Sequence, residues 1–429
     1  MSDLFAARSQ MALSLGFHIV FAEIGIAMPL LMVLAEWRWR RTNDAVYLQL
    51  AKRWAKGSAV LFAVGAVSGT VLSFELGLLW PKFMELAGPI IGMPFSLEGF
   101  AFFTEAIFLG VYLYGWDRIS PRAHMAAGLI VAASGAASAV FVIMVNAWMN
   151  TPTGLVLAAG KITQIDPIAG MFNPSTVQQA LHMLLASYAA TGLAVAGLHA
   201  GILLRKPTLF HRRALMLALV VGAPAAILQP LSGDLSARTV ARWQPIKLAA
   251  LEGQFETERG APLRIGGWPD VDARRTRFSL EVPYGLSLLA FHDPSAEVRG
   301  LNAFSRDLWP PIPPVHLGFQ IMVALGTAMA LIGVWVAIVV ARRRDIVEQR
   351  WLLTALLVAT PFGFIATEAG WTVTEVGRQP WVVQGIQRTA DAVTPMPGLV
   401  IPMLLFGLLY LGLGAIVVAL MTSIVRETA

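Results

Sequence analysis

"MALSLGFHIVFAEIGIAMPLLMVLAEW", residues 11–37, decides the architecture. A hydrocarbon core needs about 20 apolar residues of helix to cross it, and this run is long enough. It exceeds the apolar core of a signal peptide and lacks a convincing small-residue cleavage site, so it is read as a retained membrane span. Two ionisable residues, His18 and Glu23, stand in its interior, well ahead of Glu36 at its end. Their presence asks what the span is for.

The same rule gives nine spans, near residues 11–35, 57–80, 95–115, 125–149, 178–203, 214–232, 315–341, 351–371 and 397–424. With 56% hydrophobic and 14% charged residues, the chain is expected to be an all-α integral membrane protein. The net charge of +6 sits in short blocks between apolar runs, which excludes a nucleic-acid face. Those blocks set the topology. Segments "WRWRRTND...AKRWAK", "DRISPR", "RKPTLFHRR" and "ARRRDIVEQR" carry six, two, four and four basic residues, whereas the alternate short loops carry only Lys82, Lys161, and Arg378 with Arg388. Lys and Arg stay on the cytoplasmic side, so the N-terminus is placed outside and the C-terminus inside. Residues 1–232 hold helices one to six and 315–429 hold helices seven to nine. Between them, 233–314 form one long external loop, expected to be functional as a substrate lid.

Inside or beside the spans stand His18, Glu23, Glu75, Glu98, Glu105, His182, His199, Glu368 and Glu375. A charge at mid-bilayer costs about 2.5 to 3.5 kcal/mol even on a lenient scale, so such groups face a partner, a cavity or a cofactor. The plainer account is that a lone His is a hydrogen-bonded packing residue and that Glu23 and Glu75 are buried and neutral. Depth argues further. His182 and Met322 both lie shallowly in spans that enter from outside, so they can face each other as an axial His/Met pair for a six-coordinate haem. His18 and Glu375 belong to the same outer half. With no cysteine, thiolate-ligated haem, covalent c-type haem, iron-sulfur clusters and disulfides are excluded. Glu98 and Glu105, seven residues apart, share one helix face about 10 Å apart in height, the spacing of a proton relay or of two carboxyls bonded to neighbouring helices.

The motifs "LGFHIVF", "EGFAFFTEAIFLG" (98–110), "QQALHMLL", "QPIKLAALEG" (244–253) and "GRQPW" (377–381) occur in this order. Through them the chain resembles subunit I of the cytochrome bd-type quinol oxidases, in the branch called cyanide-insensitive oxidases, with a short version of the external loop. The resemblance implies three haems: two haem b and one haem d, or a third haem b in its place. His182 and Met322 would hold the low-spin haem b, and His18 and Glu375 the two active-site haems. Glu98 would sit beside the oxygen-reducing haem with Glu105 behind it, Trp371 between haems, and Lys247 and Glu252 at quinol oxidation. Arg378 is expected to offset haem propionates, and Glu368 to be a supporting group or relay. Ubiquinol or menaquinol and O2 would be substrates; subunit II and a small single-span subunit would be partners in a bacterial inner membrane. Gln320 departs from the family, where many members carry arginine, and the missing cation implies a lower potential for the low-spin haem. A secondary transporter with intramembrane carboxylates is the alternative from another class, although no inverted repeat is visible. A haem-copper oxidase would need about six intramembrane histidines and a paired-His element, and only seven histidines exist in the whole chain.

Overall fold

The computed structural model describes residues 2–158 and 161–426. Among them nine helical stretches are long and apolar enough to cross a bilayer, as expected. α1 (Asp3–Thr42), α2 (Ala45–Leu79), α3 (Pro81–Tyr114) and α4 (Pro121–Asn150) lead to a hairpin of β1 (Leu155–Ala158) and β2 (Lys161–Ile165). The short α5 (Pro167–Met171) precedes α6 (Thr176–Leu203) and α7 (Leu209–Trp243). The connecting segment then folds as α8 (Pro245–Glu252), β3 (Glu258–Arg259), β4 (Leu263–Ile265), β5 (Trp268–Asp270), β6 (Arg275–Arg277), β7 (Leu280–Val282), α9 (Gly285–Phe291) and β8 (Glu297–Val298). Its strands pair antiparallel as β3 with β8, β4 with β7 and β5 with β6. α10 (Ile312–Ala341), α11 (Arg350–Val358), α12 (Phe362–Val376), β9 (Trp381–Val383), β10 (Gln387–Arg388), α13 (Thr389–Ala392) and α14 (Val400–Arg426) complete the chain.

Local sequence sets the helix ends. Ser2, Asp44, Ser120 and Thr208 each accept a hydrogen bond from a first-turn amide, satisfying donors that a helix start leaves open. Arg40 and Arg41 close α1, where cations complement the helix dipole. α6 and α7 approach most closely at Gly192 and Gly222, where a Cβ on Gly192 would lie 2.5 Å from the Gly222 Cα; only a missing side chain permits backbones this near.

Helix boundaries depart from the apolar count at several points: α1 starts at Asp3 and α2 at Ala45, well before the expected spans, and three further departures bear on the site. α3 begins at Pro81 directly after Trp80, so the expected loop near 81–94 is helical, with Pro89 and Pro94 inside it. α7 runs on to Trp243, eleven residues into the expected loop; an Asp234–Arg238 pair at 2.8 Å supports this charged extension, which needs water rather than lipid. The eighth span breaks between Val358 and Phe362, where Pro361 removes an amide donor and disfavours helix before it. Glu375 therefore lies in the last turn of α12, not beyond the end of the span.

The connections after α4, after α7 and after α12 meet at one end of the bundle. Lys247 reaches Asn150 at 2.7 Å and Arg388 reaches Asp307 at 2.6 Å. At the other end, Arg213 pairs with Asp44 at 3.5 Å and Arg212 with Asp345 at 2.9 Å. The alternation of basic and less basic connections thus corresponds to two physical ends.

Candidate functional site

Hydrogen bonding separates the seven histidines. The ring nitrogens of His124 are taken by Glu36 at 2.9 Å and the Tyr112 carbonyl at 2.9 Å. His316 faces the carbonyls of Leu251 and Gly266. His199 and His211 bond each other at 2.8 Å, and His292 is exposed 3.8 Å from Asp234. His18 and His182 differ. His18 Nδ1 lies 3.0 Å from Ser68 Oγ, whose own proton goes to the Val64 carbonyl at 2.9 Å. His182 Nδ1 lies 2.9 Å from Ser232 Oγ, whose proton goes to the Gln229 carbonyl at 2.8 Å. With the serine protons on these carbonyls, each serine accepts and each imidazole donates from Nδ1. That leaves the Nε2 lone pair for a metal, the tautomer an iron ligand needs. The His182 Nε2 lone pair receives only the Gln229 amide, at 3.2 Å.

Leu185 of α6 and Leu325 of α10, three residues beyond His182 and Met322 respectively, pack on one core cluster. Met322 Sδ rests against Gly370 of α12, where a Cβ would come within 3.0 Å of it, and His18 Cε1 rests equally close to Gly69. Side chains at these glycines would push the donors away.

Glu368, Trp371 and Glu375 rise along α12. The Glu368 carboxyl packs against Gly16 of α1, and one of its oxygens is buried without a hydrogen bond. Trp371 is half-buried, next to Gly370 and one turn from Glu375. The Glu375 carboxylate accepts from Asn146 and from Arg378 Nη2, the latter at 2.5 Å. Arg378 is 2% exposed, yet its Nε and Nη1 find no acceptor among the described residues. Such donors call for an anion that the chain does not supply.

Those observations fit haem. Two histidines with a committed Nδ1, a thioether and a carboxylate sit singly on different helices, and among the described residues no group of three His, Asp and Glu side chains could hold a bare metal ion. A porphyrin needs only axial protein donors. Arg378, paired with Glu375 through Nη2 alone, keeps two guanidinium donors that propionates can use.

On α3, Glu98 accepts from Ser138 of α4 at 3.1 Å, and Glu105, 6% exposed, packs against Gly135 of the same helix. Both acids face α4, as their spacing predicts. Glu105 opens on a small cavity shared with Ser58 of α2, whose buried hydroxyl has no hydrogen bond.

Lys247 and Glu252 share α8 but diverge: five residues apart, they lie about 140° around the helix from each other. Lys247 Nζ donates to Asn150 Oδ1 at 2.7 Å and to the Thr374 carbonyl at 3.3 Å. Asn150 donates in turn to Asn146 at 3.1 Å, and Asn146 to Glu375. An unbroken chain of hydrogen bonds thus joins the lysine to the candidate carboxylate ligand. Burial pushes the Lys247 ammonium down to about 7, with Arg378 adding to the effect and Glu375 opposing it. Glu252 has one oxygen without a partner, and burial pushes it up to about 8 against the pull of Arg264. Gln320 points at the β4 backbone, so it faces the connecting segment while Met322 faces α12.

Asn146, Asn150, Ser58, Ser68, Ser232, Gln229 and Arg264 escaped the sequence reading. Uncharged or lying in a loop, they carry no signal against an apolar background. A search for polar side chains at helix-facing positions would have found the serines and asparagines.

Residues 6–429 match the family model described as cytochrome bd terminal oxidase subunit I. The chain is 40% identical over 435 residues to the putative cytochrome bd menaquinol oxidase subunit I of Bacillus subtilis, covering 100% of this chain and 97% of that protein. It is 32% identical over 448 residues to the cytochrome bd ubiquinol oxidase subunit 1 of the same organism, covering 100% and 95% respectively. The structure of bd oxidase from Geobacillus thermodenitrificans superimposes with a TM-score of 0.93 at 38% identity, over 100% of this chain and 99% of the other.

Proposed function

The chain belongs to the cytochrome bd terminal oxidase subunit I family, a multi-pass protein of the bacterial inner membrane, and from that premise we propose that it is the haem-bearing subunit of a respiratory quinol oxidase. It oxidises quinol at the end of the bundle formed by residues 244–311, taken as the outer face, and reduces dioxygen to water with cytoplasmic protons. Charge is thereby separated across the membrane without a pump. The 1–232 and 315–429 helices form the haem-bearing bundle, with 233–314 as the external quinol segment between them. Subunit II and a small single-span subunit complete the complex; ubiquinol and menaquinol are both compatible with the relatives' names. Two haem b with haem d, or three haem b, complete the site.

Bound haem supplies one-electron transfer and the iron at which oxygen is reduced. His182 and Met322 hold the low-spin group, and His18 and Glu375 each hold one of the other two. The observation that carries this reading is the pair of contacts from His18 and His182 Nδ1 to Ser68 and Ser232 Oγ, which turn Nε2 toward the role of an iron donor. Arg378 would neutralise propionates, and Trp371 of α12 would lie between haems. Glu252, once ionised, accepts a hydroxyl proton from quinol, while Lys247 orients the opposite side of the ring and holds the chain to Glu375. Glu105 and Glu98 hand protons along the α4-facing side of α3 toward the oxygen site. Glu368, beside Gly16, supports the His18 region.

The transporter alternative is not favoured, since it leaves the freed imidazole nitrogens and the unpaired Arg378 donors without a purpose. Purified complex should show reduced haem bands and consume oxygen with quinol. A colourless, inactive yet correctly assembled complex would overturn the assignment.

A further inference from the structure

α10 carries Met322 on one side and grips the quinol segment with the other. His316, fully buried, sets Nδ1 2.7 Å from the Leu251 carbonyl and Nε2 3.2 Å from the Gly266 carbonyl. One turn on, Gln320 Oε1 accepts from the Gly266 amide at 2.9 Å, and its Nε2 donates to the Arg264 carbonyl at 3.0 Å. The Gln320 amide thus pairs with the β4 backbone as a neighbouring strand would. Leu251 lies in the last turn of α8, next to Glu252. The turn after it is equally enclosed: Gly253, at φ +60°, has no room for a Cβ, which would meet Thr276 Oγ1 at 2.4 Å and His316 Nδ1 at 3.4 Å. Arg264, the cation nearest Glu252 in effect, also bonds Gln254 and Glu281.

Residues four apart share a helix face, whereas Met322 lies about 200° around from Gln320 and about 3 Å further along the axis. α10 is therefore a rigid spacer with the quinol segment bonded to one face and the candidate iron ligand on the other. We infer that His316 and Gln320 are positioning residues for quinol oxidation: they clamp α8 and β4 onto α10 and so fix the Glu252 carboxyl relative to Met322. This rests on the reading of Lys247 and Glu252 as the quinol site. The physical demand is plain, because a long loop segment must be tied down where it meets substrate if substrate binding is not to bear the cost of ordering it.

The test uses the assembled oxidase. Gln320→Ala should raise the KM for quinol about two- to tenfold, the worth of a lost buried hydrogen bond. Its kcat should stay within about twofold, and its low-spin haem spectrum should not change. Amide exchange in the peptide containing Gly266 should quicken by a similar factor, a readout independent of turnover. Gln320→Glu keeps the acceptor for the Gly266 amide but loses the donor, and should fall between. An unchanged KM overturns the inference even if exchange quickens, since a merely structural contact would behave so. Lys247→Met and Glu252→Gln, measured in parallel, separate the two readings. If they leave quinol oxidation intact, the quinol site is elsewhere; if they impair it and Gln320→Ala does not move KM, the clamp alone is wrong.

Discussion

Replacing Ser232 with alanine tests whether His182 is an iron ligand. Ser232 is 3% exposed, and its hydroxyl lies 2.8 Å from the Gln229 carbonyl; with the proton there, the 2.9 Å contact with His182 Nδ1 is a bond donated by the imidazole. Losing that acceptor makes the ring less basic and so stabilises the ferric state less. A buried hydrogen bond is worth about 0.5 to 1.5 kcal/mol. If it is felt in the oxidised state alone, the low-spin haem potential rises by about 20 to 60 mV, since a tenfold change is about 59 mV for one electron. Gln229 can soften the loss. Its amide nitrogen is 3.4 Å from Nδ1 and its Oε1 is buried without a partner, so an amide flip would offer a substitute acceptor. Ser232→Ala alone should therefore sit at the low end of the range, Ser232→Ala with Gln229→Leu at the high end, and Ser232→Thr near wild type. Redox titration on the α band of the low-spin haem measures each. A double variant with an unshifted potential would refute the claim that this serine fixes a ligating tautomer.

Three further outcomes are expected. Glu375→Ala should remove one high-spin haem spectrum and spare the low-spin one, and pigment extraction checks the loss by content. Gly370→Ala places a Cβ within 3.0 Å of Met322 Sδ, so the methionine–iron charge-transfer band should weaken or vanish while His18-linked bands persist. Glu252, pushed up to about 8 by burial, is protonated below that pH and accepts a quinol proton only above it. The pH profile of kcat/KM should accordingly climb toward about pH 8, and Glu252→Gln should lose that limb.

The sequence marked the candidate donors because each is a polar or polarisable exception in apolar surroundings: His18, Glu98, Glu105, His182 and Glu375 stand out once the spans are drawn. Where the exception was small, the sequence was silent. Ser68 and Ser232 look like ordinary helix serines, and only the direction of their protons reveals what they do for His18 and His182. Lys247 and Glu252 share a motif, yet the 140° between them on α8 sends one toward Asn150 and Thr374 and the other toward Arg264. Gln320 reads in sequence as a missing cation; in the fold it is a bridge to the backbone of β4.

Nine apolar stretches, the sidedness of their basic ends and the absence of thiols follow from composition and order alone, because transfer into lipid is a sum over residues and needs no knowledge of neighbours. Which imidazole nitrogen meets a serine, which Arg378 donors are left without an acceptor and which face of α10 meets the quinol segment depend on distances of a few ångströms between helices far apart in the chain. Hydrogen bonds are directional and short-ranged, so only packing in three dimensions decides them.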